Sequence, residues 1–243
     1  MTPPAIPFAL LDTVFLDAGN TLFSMDFELM SEKLALLGPH CAPDRLARAE
    51  AAARPAVSAR IAAGGSTESR DTFRFYLRKL LAGALETDEA ELDRLAQGWA
   101  GALSQSSLRV RLWVRILPGV PETLAALRKA GLRLVVVSNS DGTIESTLTR
   151  AKLRPLLDAV VDSAQVGFEK PHPAIFRHAL ELVRARAEHT LHVGDLYAAD
   201  VEGARSVGIH ALLLDPFGDW PDVDCPTQPD LPSVGRQLLA ARS

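Results

Sequence analysis

The sequence predicts an α/β protein: a doubly wound, mostly parallel sheet carrying an inserted all-helical domain. Three observations predict it. Five short runs, Thr13–Asp17, Leu132–Ser138, Ala159–Asp162, Thr190–Val193 and Ile209–Leu214, are nearly continuously apolar. Half-exposed strands alternate; parallel strands covered on both faces read as unbroken apolar runs. From Pro118 onward these runs alternate with segments of helical spacing, the order of a doubly wound sheet. Between Phe23 and about Ser106 the chain is rich in Ala, Leu, Arg and Glu and offers no buried strand.

In chain order, Thr13–Asp17 is the first strand. The insert follows. Pro43–Gly65 (PDRLARAEAAARPAVSARIAAGG) reads as a helix interrupted at Pro55 and closed by Gly64-Gly65, and Thr87–Leu103 (TDEAELDRLAQGWAGAL) as another. Ser107–Ile116 alternates apolar and basic residues and is expected to be extended, returning the chain to the sheet. This places a core at 1–23 plus 107–243 and a helical insert at 24–106. Pro121–Ala130 opens with Pro and stops at Gly131, the favoured asymmetry of a helix. Thr143–Ala151, Pro173–Arg184 and Asp200–Val207 have helical spacing too, the last ending before Gly208. Asp215–Pro232 is a loop rich in Pro and Asp, followed by a short helix.

The 243 residues suffice for one large domain or a domain plus an insert, and 47% hydrophobic with 23% charged residues is an ordinary globular balance. A net charge of -4 leaves no broad basic surface for nucleic acid. Two cysteines, Cys41 and Cys225, are too few for a disulfide framework and suit a reducing compartment. MTPPAIPFALL lacks the basic start of a signal peptide, and no apolar run approaches the ~18 residues of a membrane span. A cytoplasmic protein is expected.

Chemistry is sought at the C-terminal ends of the strands, where open α/β sheets bind ligands. The first strand ends in Asp17. The second, LVVVSNS, ends in Ser138 and Asn139. After the third comes GFEKP with Lys170. After the fourth comes GDLYAAD with Asp195 and Asp200. Singly, each is ordinary turn or cap chemistry. Converging, three carboxylates need more positive charge than Lys170 supplies, and a hard divalent cation resolves this. The Ser138 hydroxyl, the Asn139 amide and the Lys170 ammonium form a donor set for phosphoryl oxygens. The set describes a site in which a carboxylate attacks phosphorus.

These residues resemble the four motifs of the haloacid dehalogenase superfamily: DAGNT at Asp17, the apolar strand ending in Ser138, Lys170 in EKPHPAIF, and GDLYAAD at Gly194–Asp200. PGVPETLAALRKAG and GARSVGIHALLL also resemble the subfamily with a helical cap after the first motif, on a Rossmann-like core. The resemblance implies a hydrolase. Asp17 is then the nucleophile that forms an aspartyl-phosphate, Thr21 and Ser138 support the phosphate site, and Lys170 balances charge. Mg2+ would be held by Asp17, the backbone carbonyl of Gly19 and Asp195, with Asp200 an occasional ligand or an orienting group. The implied partner is a small phosphorylated molecule.

One position departs from the pattern. The superfamily's phosphatases carry a second carboxylate two residues after the nucleophile, and here that residue is Gly19. It removes a proton donor worth typically ~10²–10⁴-fold in rate, while the backbone carbonyl is kept. Asn20 replaces the motif's glycine and tolerates a left-handed turn. A phosphatase is the first expectation. The alternatives are a 2-haloacid dehalogenase, a phosphonatase-like C–P hydrolase and a non-catalytic relative binding a phosphorylated ligand or a partner. Retention of Asp195 and Asp200 argues against dehalogenation. Lys33 and Lys79, the lysines of the insert, lie in no Schiff-base motif, and the charge cluster argues against a purely binding role. His192 is expected to be a satisfied core histidine and His172 a helix-start residue. Phe73, Phe75, Tyr76 and Leu77 are expected in the insert's core, with Trp99 and Trp113 as packing residues.

Overall fold

A computed structural model of the chain describes residues 5–105 and 111–242. The chain divides into two compact units, one combining the segments up to Phe23 and from Ile116 onward, the other Ser24–Arg115.

The first unit is built on a six-stranded sheet. Its strands are β1 (Thr13–Leu16), β4 (Arg133–Ser138), β5 (Ala159–Asp162), β6 (Thr190–Gly194), β7 (His210–Leu214) and β8 (Thr227–Gln228), in the order β5-β4-β1-β6-β7-β8. All five pairings are parallel. The expected doubly wound α/β core is therefore observed. The chain builds outward from β1 through β4 to β5, then returns to the other side of β1 for β6, β7 and β8. The topological switch point thus lies at β1, and open α/β sheets bind ligands beyond the carboxyl ends of strands at such a point. Leu16 pairs with Val136 on one side and Val193 on the other, so the next residue, Asp17, emerges at that end of the sheet.

Pleating explains why the strands read as unbroken apolar runs. Val14, Leu16, Leu134, Val136, Leu191 and Val193 fill one face of the sheet. Phe15, Val135, Val137, Ala211 and Leu213 fill the other. On the first face lie α5 (Val120–Lys129), α6 (Ile144–Arg150) and α8 (Leu231–Ala240), through residues such as Leu124, Leu148 and Val234. On the second, α7 (Pro173–Val183) packs through Ile175, Phe176 and Ala179. Both faces being dry, truncation of a central residue such as Leu191 to Ala is expected to cost roughly 2–5 kcal/mol.

The second unit is helical: α1 (Phe27–Ala35), α2 (Pro43–Ala62), α3 (Arg70–Ala84) and α4 (Glu89–Leu103). Asp26, Ser69 and Asp88 cap α1, α3 and α4 by accepting from the backbone N–H three residues on. Its core includes Met30, Leu46, Leu77, Leu81, Leu95 and Trp99, whose indole N–H donates to the Met30 carbonyl. Phe73, Tyr76 and Trp113 pack against that core as expected. Phe75 instead lies beneath Arg60 and Lys79, 5.0 and 5.5 Å from its ring centre. No described helix is long and apolar enough to cross a membrane.

Several local expectations are corrected. Pro55 does not interrupt α2, which runs unbroken from Pro43 to Ala62. The N–H missing at Pro55 would have bonded Ala51; the buried bidentate pair of Arg54 with Glu50 and packing on α3 hold that turn instead. The chain leaves the sheet through β2 (Phe23–Met25) and returns through β3 (Trp113–Ile116), which form a two-stranded sheet of their own. The division between the units falls at Arg115 rather than near Ser106, because Leu112 and Trp113 belong to the helical core. Of the extended run expected at Ser107–Ile116, residues 107–110 lie outside the described residues, Arg111 and Leu112 are helical, and only Trp113–Ile116 is extended. The helix expected at Asp200–Val207 begins as a π-helical turn, Tyr197–Glu202, and only Gly203–Arg205 is α. β8 is too short to show in the tail's composition.

Candidate active site

The candidate residues lie at the carboxyl ends of β1, β4, β5 and β6 or in the segments that follow them. Lys170 joins two carboxylates. Its Nζ donates to Asp17 Oδ1 at 2.5 Å and to Asp200 Oδ1 at 2.7 Å. The lysine is 3% exposed and Asp17 8%, so the pairing is nearly dehydrated. Asp200 accepts from more donors. His192 Nε2 lies 2.9 Å from Oδ1, and the Leu196 N–H donates to Oδ2 at 2.9 Å. The π-helical turn brings Asp200 back onto the end of β6. Gly194 makes room for it, since a Cβ there would stand 2.2 Å from Asp200 Cγ.

The carboxylates separate electrostatically. Burial pushes Asp17 up to about 6, against the pull of Lys170 and with the push of the Asp200 charge. Burial also penalises the Asp200 anion, but Lys170 and the His192 hydrogen bond outweigh it and hold Asp200 below the ordinary carboxylate range. Burial opposes the Lys170 charge, yet its two acidic partners keep it firmly protonated. His192 is pushed down by burial against the hydrogen bond to Asp200. A neutral imidazole facing an anionic Asp200 carries its proton on Nε2. His192 is buried as expected, but only half satisfied: Nδ1 has no hydrogen-bond partner.

Asn139 departs from its expected place among the phosphate donors. Its side-chain Nδ2 donates to the Lys170 carbonyl at 2.9 Å, and its Oδ1 accepts from the Lys170 N–H at 2.7 Å. The amide thus satisfies both backbone polar groups of Lys170 and fixes the stem of that side chain. Ser138 is buried at the end of β4, and its Oγ donates to the Asn139 carbonyl at 3.3 Å. The Ser163 hydroxyl bonds both the N–H and the carbonyl of Ser140, and Asp162 accepts from the Gly142 N–H. These two residues of the β5 end, unread in the sequence, anchor the loop after β4. Thr21 is fully buried and its Oγ1 has no hydrogen-bond partner.

Asp195 follows β6 and is buried. Its Oδ2 accepts from the Asn20 side chain at 2.9 Å, which ties the first loop to the fourth. Gly19 bridges to Phe23 within that first turn, and Asn20 is left-handed with φ 51°. Among the described residues, no three His, Cys, Asp or Glu side chains cluster closely enough to hold a metal. A magnesium site requires only one or two carboxylates beside substrate oxygens and water. Asp17 and Asp195 leave adjacent strands at the same end, and their carboxylates and the Gly19 carbonyl are oxygen donors of the hardness such a cation takes. The residues fit such a cation. His172 stands apart, capping α7 by accepting from the Ala174 N–H and stacking on Phe168.

Comparison with known proteins adds four findings. Residues 11–208 match the family model of haloacid dehalogenase-like hydrolases. The chain is 38% identical over 129 residues to haloacid dehalogenase-like hydrolase domain-containing protein 3 of Bos taurus, covering 52% of this chain and 51% of that protein. It is 32% identical over 158 residues to ribulose-1,5-bisphosphate 5-phosphatase of Halopiger xanaduensis, covering 63% and 62% respectively. The chain thus spans about half the length of the first relative, at 51%. In fold it resembles the magnesium-bound HAD-hydrolase YfnB of Bacillus subtilis. The TM-score is 0.63 at 20% identity, covering 94% of this chain and 98% of that one.

Proposed function

This chain belongs to the haloacid dehalogenase-like hydrolases, and we propose that it is a phosphatase, releasing phosphate from a small phosphorylated molecule through an aspartyl-phosphate on Asp17. The observation that carries the reading is the buried Asp17–Lys170–Asp200 bridge at the switch point of the sheet. A carboxylate there is dehydrated, oriented and paired with a cation, the conditions for a nucleophile. The phosphatase relative from Halopiger xanaduensis supports the same reaction class.

In this reading the Asp17 carboxylate attacks phosphorus and the P–O bond to the leaving group breaks. Lys170 offsets negative charge on the nucleophile and the phosphoryl oxygens, while the Ser138 and Thr21 hydroxyls bind those oxygens. Asn139 serves by fixing the Lys170 backbone, and Asp200, held by His192 and Leu196, fixes its ammonium. Mg2+, held by Asp17, the Gly19 carbonyl and Asp195, supplies further charge neutralisation at phosphorus when bound. Water then attacks phosphorus, phosphate departs and the Asp17 carboxylate is restored. The helical unit is the cap in this reading.

Gly19 decides which ester suits the site. With no carboxylate there, the leaving oxygen takes its proton from water. Aryl and other acidic leaving groups need little such help, whereas alkyl phosphates forgo the ~10²–10⁴-fold of general acid catalysis. The test compares p-nitrophenyl phosphate with alkyl phosphates, with and without Mg2+, using Asp17→Asn as control. Mg2+-dependent turnover of the aryl ester, lost in the variant and extended to alkyl esters by Gly19→Asp, is expected. No turnover of any ester, or chloride release from 2-chloropropionate without metal, overturns the reading.

A further inference from the structure

Asn20 occupies a backbone conformation that favours glycine, at φ 51° in a tight turn. Asparagine is among the side chains that tolerate it, but glycine would sit there without strain. What the side chain adds is visible: its buried Nδ2 reaches Asp195 Oδ2 at 2.9 Å, across 175 positions of sequence. The bond joins the turn after β1 to the residue after β6.

The chemistry of that donor matters. The cationic Lys170 goes to Asp17 and Asp200, and its charge is shared between them. The donor on Asp195 Oδ2 is a neutral amide. An amide fixes the orientation of a carboxylate without cancelling its charge, whereas an ammonium does both. A hard cation takes carboxylate oxygens as ligands, and the hydrogen-bonded partners that orient such ligands commonly govern metal affinity.

We propose that Asn20 is a positioning residue for a divalent cation: its amide pins one oxygen of Asp195 and so sets the metal affinity of the site. The inference rests on the reading above that Asp195 is a magnesium ligand. It assigns to the side chain at position 20 a function that a glycine there could not perform.

The test is titration of the full chain with MgCl2 alone, followed by isothermal calorimetry, beside thermal melting in metal-free buffer. Asn20→Gly keeps the left-handed turn and removes only the amide. It is expected to melt cooperatively near the wild-type temperature and to bind Mg2+ about 10–100-fold more weakly. Asp195→Asn is expected to abolish binding. Wild-type affinity in a folded Asn20→Gly, with binding lost in Asp195→Asn, overturns the positioning role alone. Undiminished binding in Asp195→Asn, or no binding by the wild type, overturns the metal-site reading beneath it.

Discussion

Lys170 Nζ donates to Asp17 Oδ1 across 2.5 Å, in a pocket where the lysine is 3% exposed. The same ammonium reaches Asp200, so one cation serves two buried acids. Removing one partner of a buried pair leaves the others uncompensated, at a cost of roughly 3–5 kcal/mol. Lys170→Met is therefore expected to lower unfolding stability by about that amount at neutral pH, read from the urea midpoint at unchanged slope, and to abolish turnover. A midpoint equal to wild type would show that the bridge is not formed in solution.

Asp17 must be ionised to attack, and burial raises it to about 6 from its ordinary 3.8. In the metal-free enzyme the ionised fraction of Asp17 is expected to climb with pH through about 6, read from its carboxyl carbon resonance, and bound Mg2+ to shift that midpoint lower. Stability runs the other way. A carboxyl that holds its proton more tightly folded than unfolded has its contribution intact below 3.8, and that contribution falls as pH rises to about 6. Asp17→Asn, which keeps the shape and has nothing to ionise, is expected to melt higher than wild type at pH 8. A metal-free Asp17 titrating near its ordinary 3.8 would contradict the effect of burial.

Gly194 is required by Asp200. A Cβ at 2.2 Å from Asp200 Cγ forces the carboxylate off Lys170 and His192. Gly194→Ala is expected to cost roughly 1–3 kcal/mol from overpacking and to depress kcat more than KM. Thermal melts and steady-state kinetics together read both effects. Unchanged kcat in this variant would mean that Asp200 does not hold Lys170 in place.

The sheet was legible because burial on both faces leaves a mark in every residue of a strand. TVFL, RLVVVS and TLHVG form β1, β4 and β6 where their apolar runs stand. The candidate site was legible only as polar residues following those runs. Which atoms they touch was not. Nothing in SNS shows that Asn139 will clasp the Lys170 backbone, since the two are 31 positions apart and meet through tertiary folding. His192 reads as one more core position of β6. Only the π-helical turn, which brings Asp200 back over Gly194, shows it to be a donor to the acid that holds Lys170. Helix-breaking rules failed at Pro55 for a related reason: packing and the Glu50–Arg54 pair supply the stability that the local backbone loses.

The central claim is covalent attack by Asp17, and Gly19 makes it directly observable. The carboxylate missing at position 19 would also have activated the water that releases the phosphoryl group. With an acidic leaving group the first step proceeds unaided while the second is slow, so the phosphorylated enzyme accumulates. The most direct measurement is acid quenching during Mg2+-dependent turnover of p-nitrophenyl phosphate, followed by peptide mass mapping. The account predicts a phosphoryl group on the peptide carrying Asp17, absent from Asp17→Asn. Continued turnover with no phosphorylated peptide, or with the group on another residue, would contradict it.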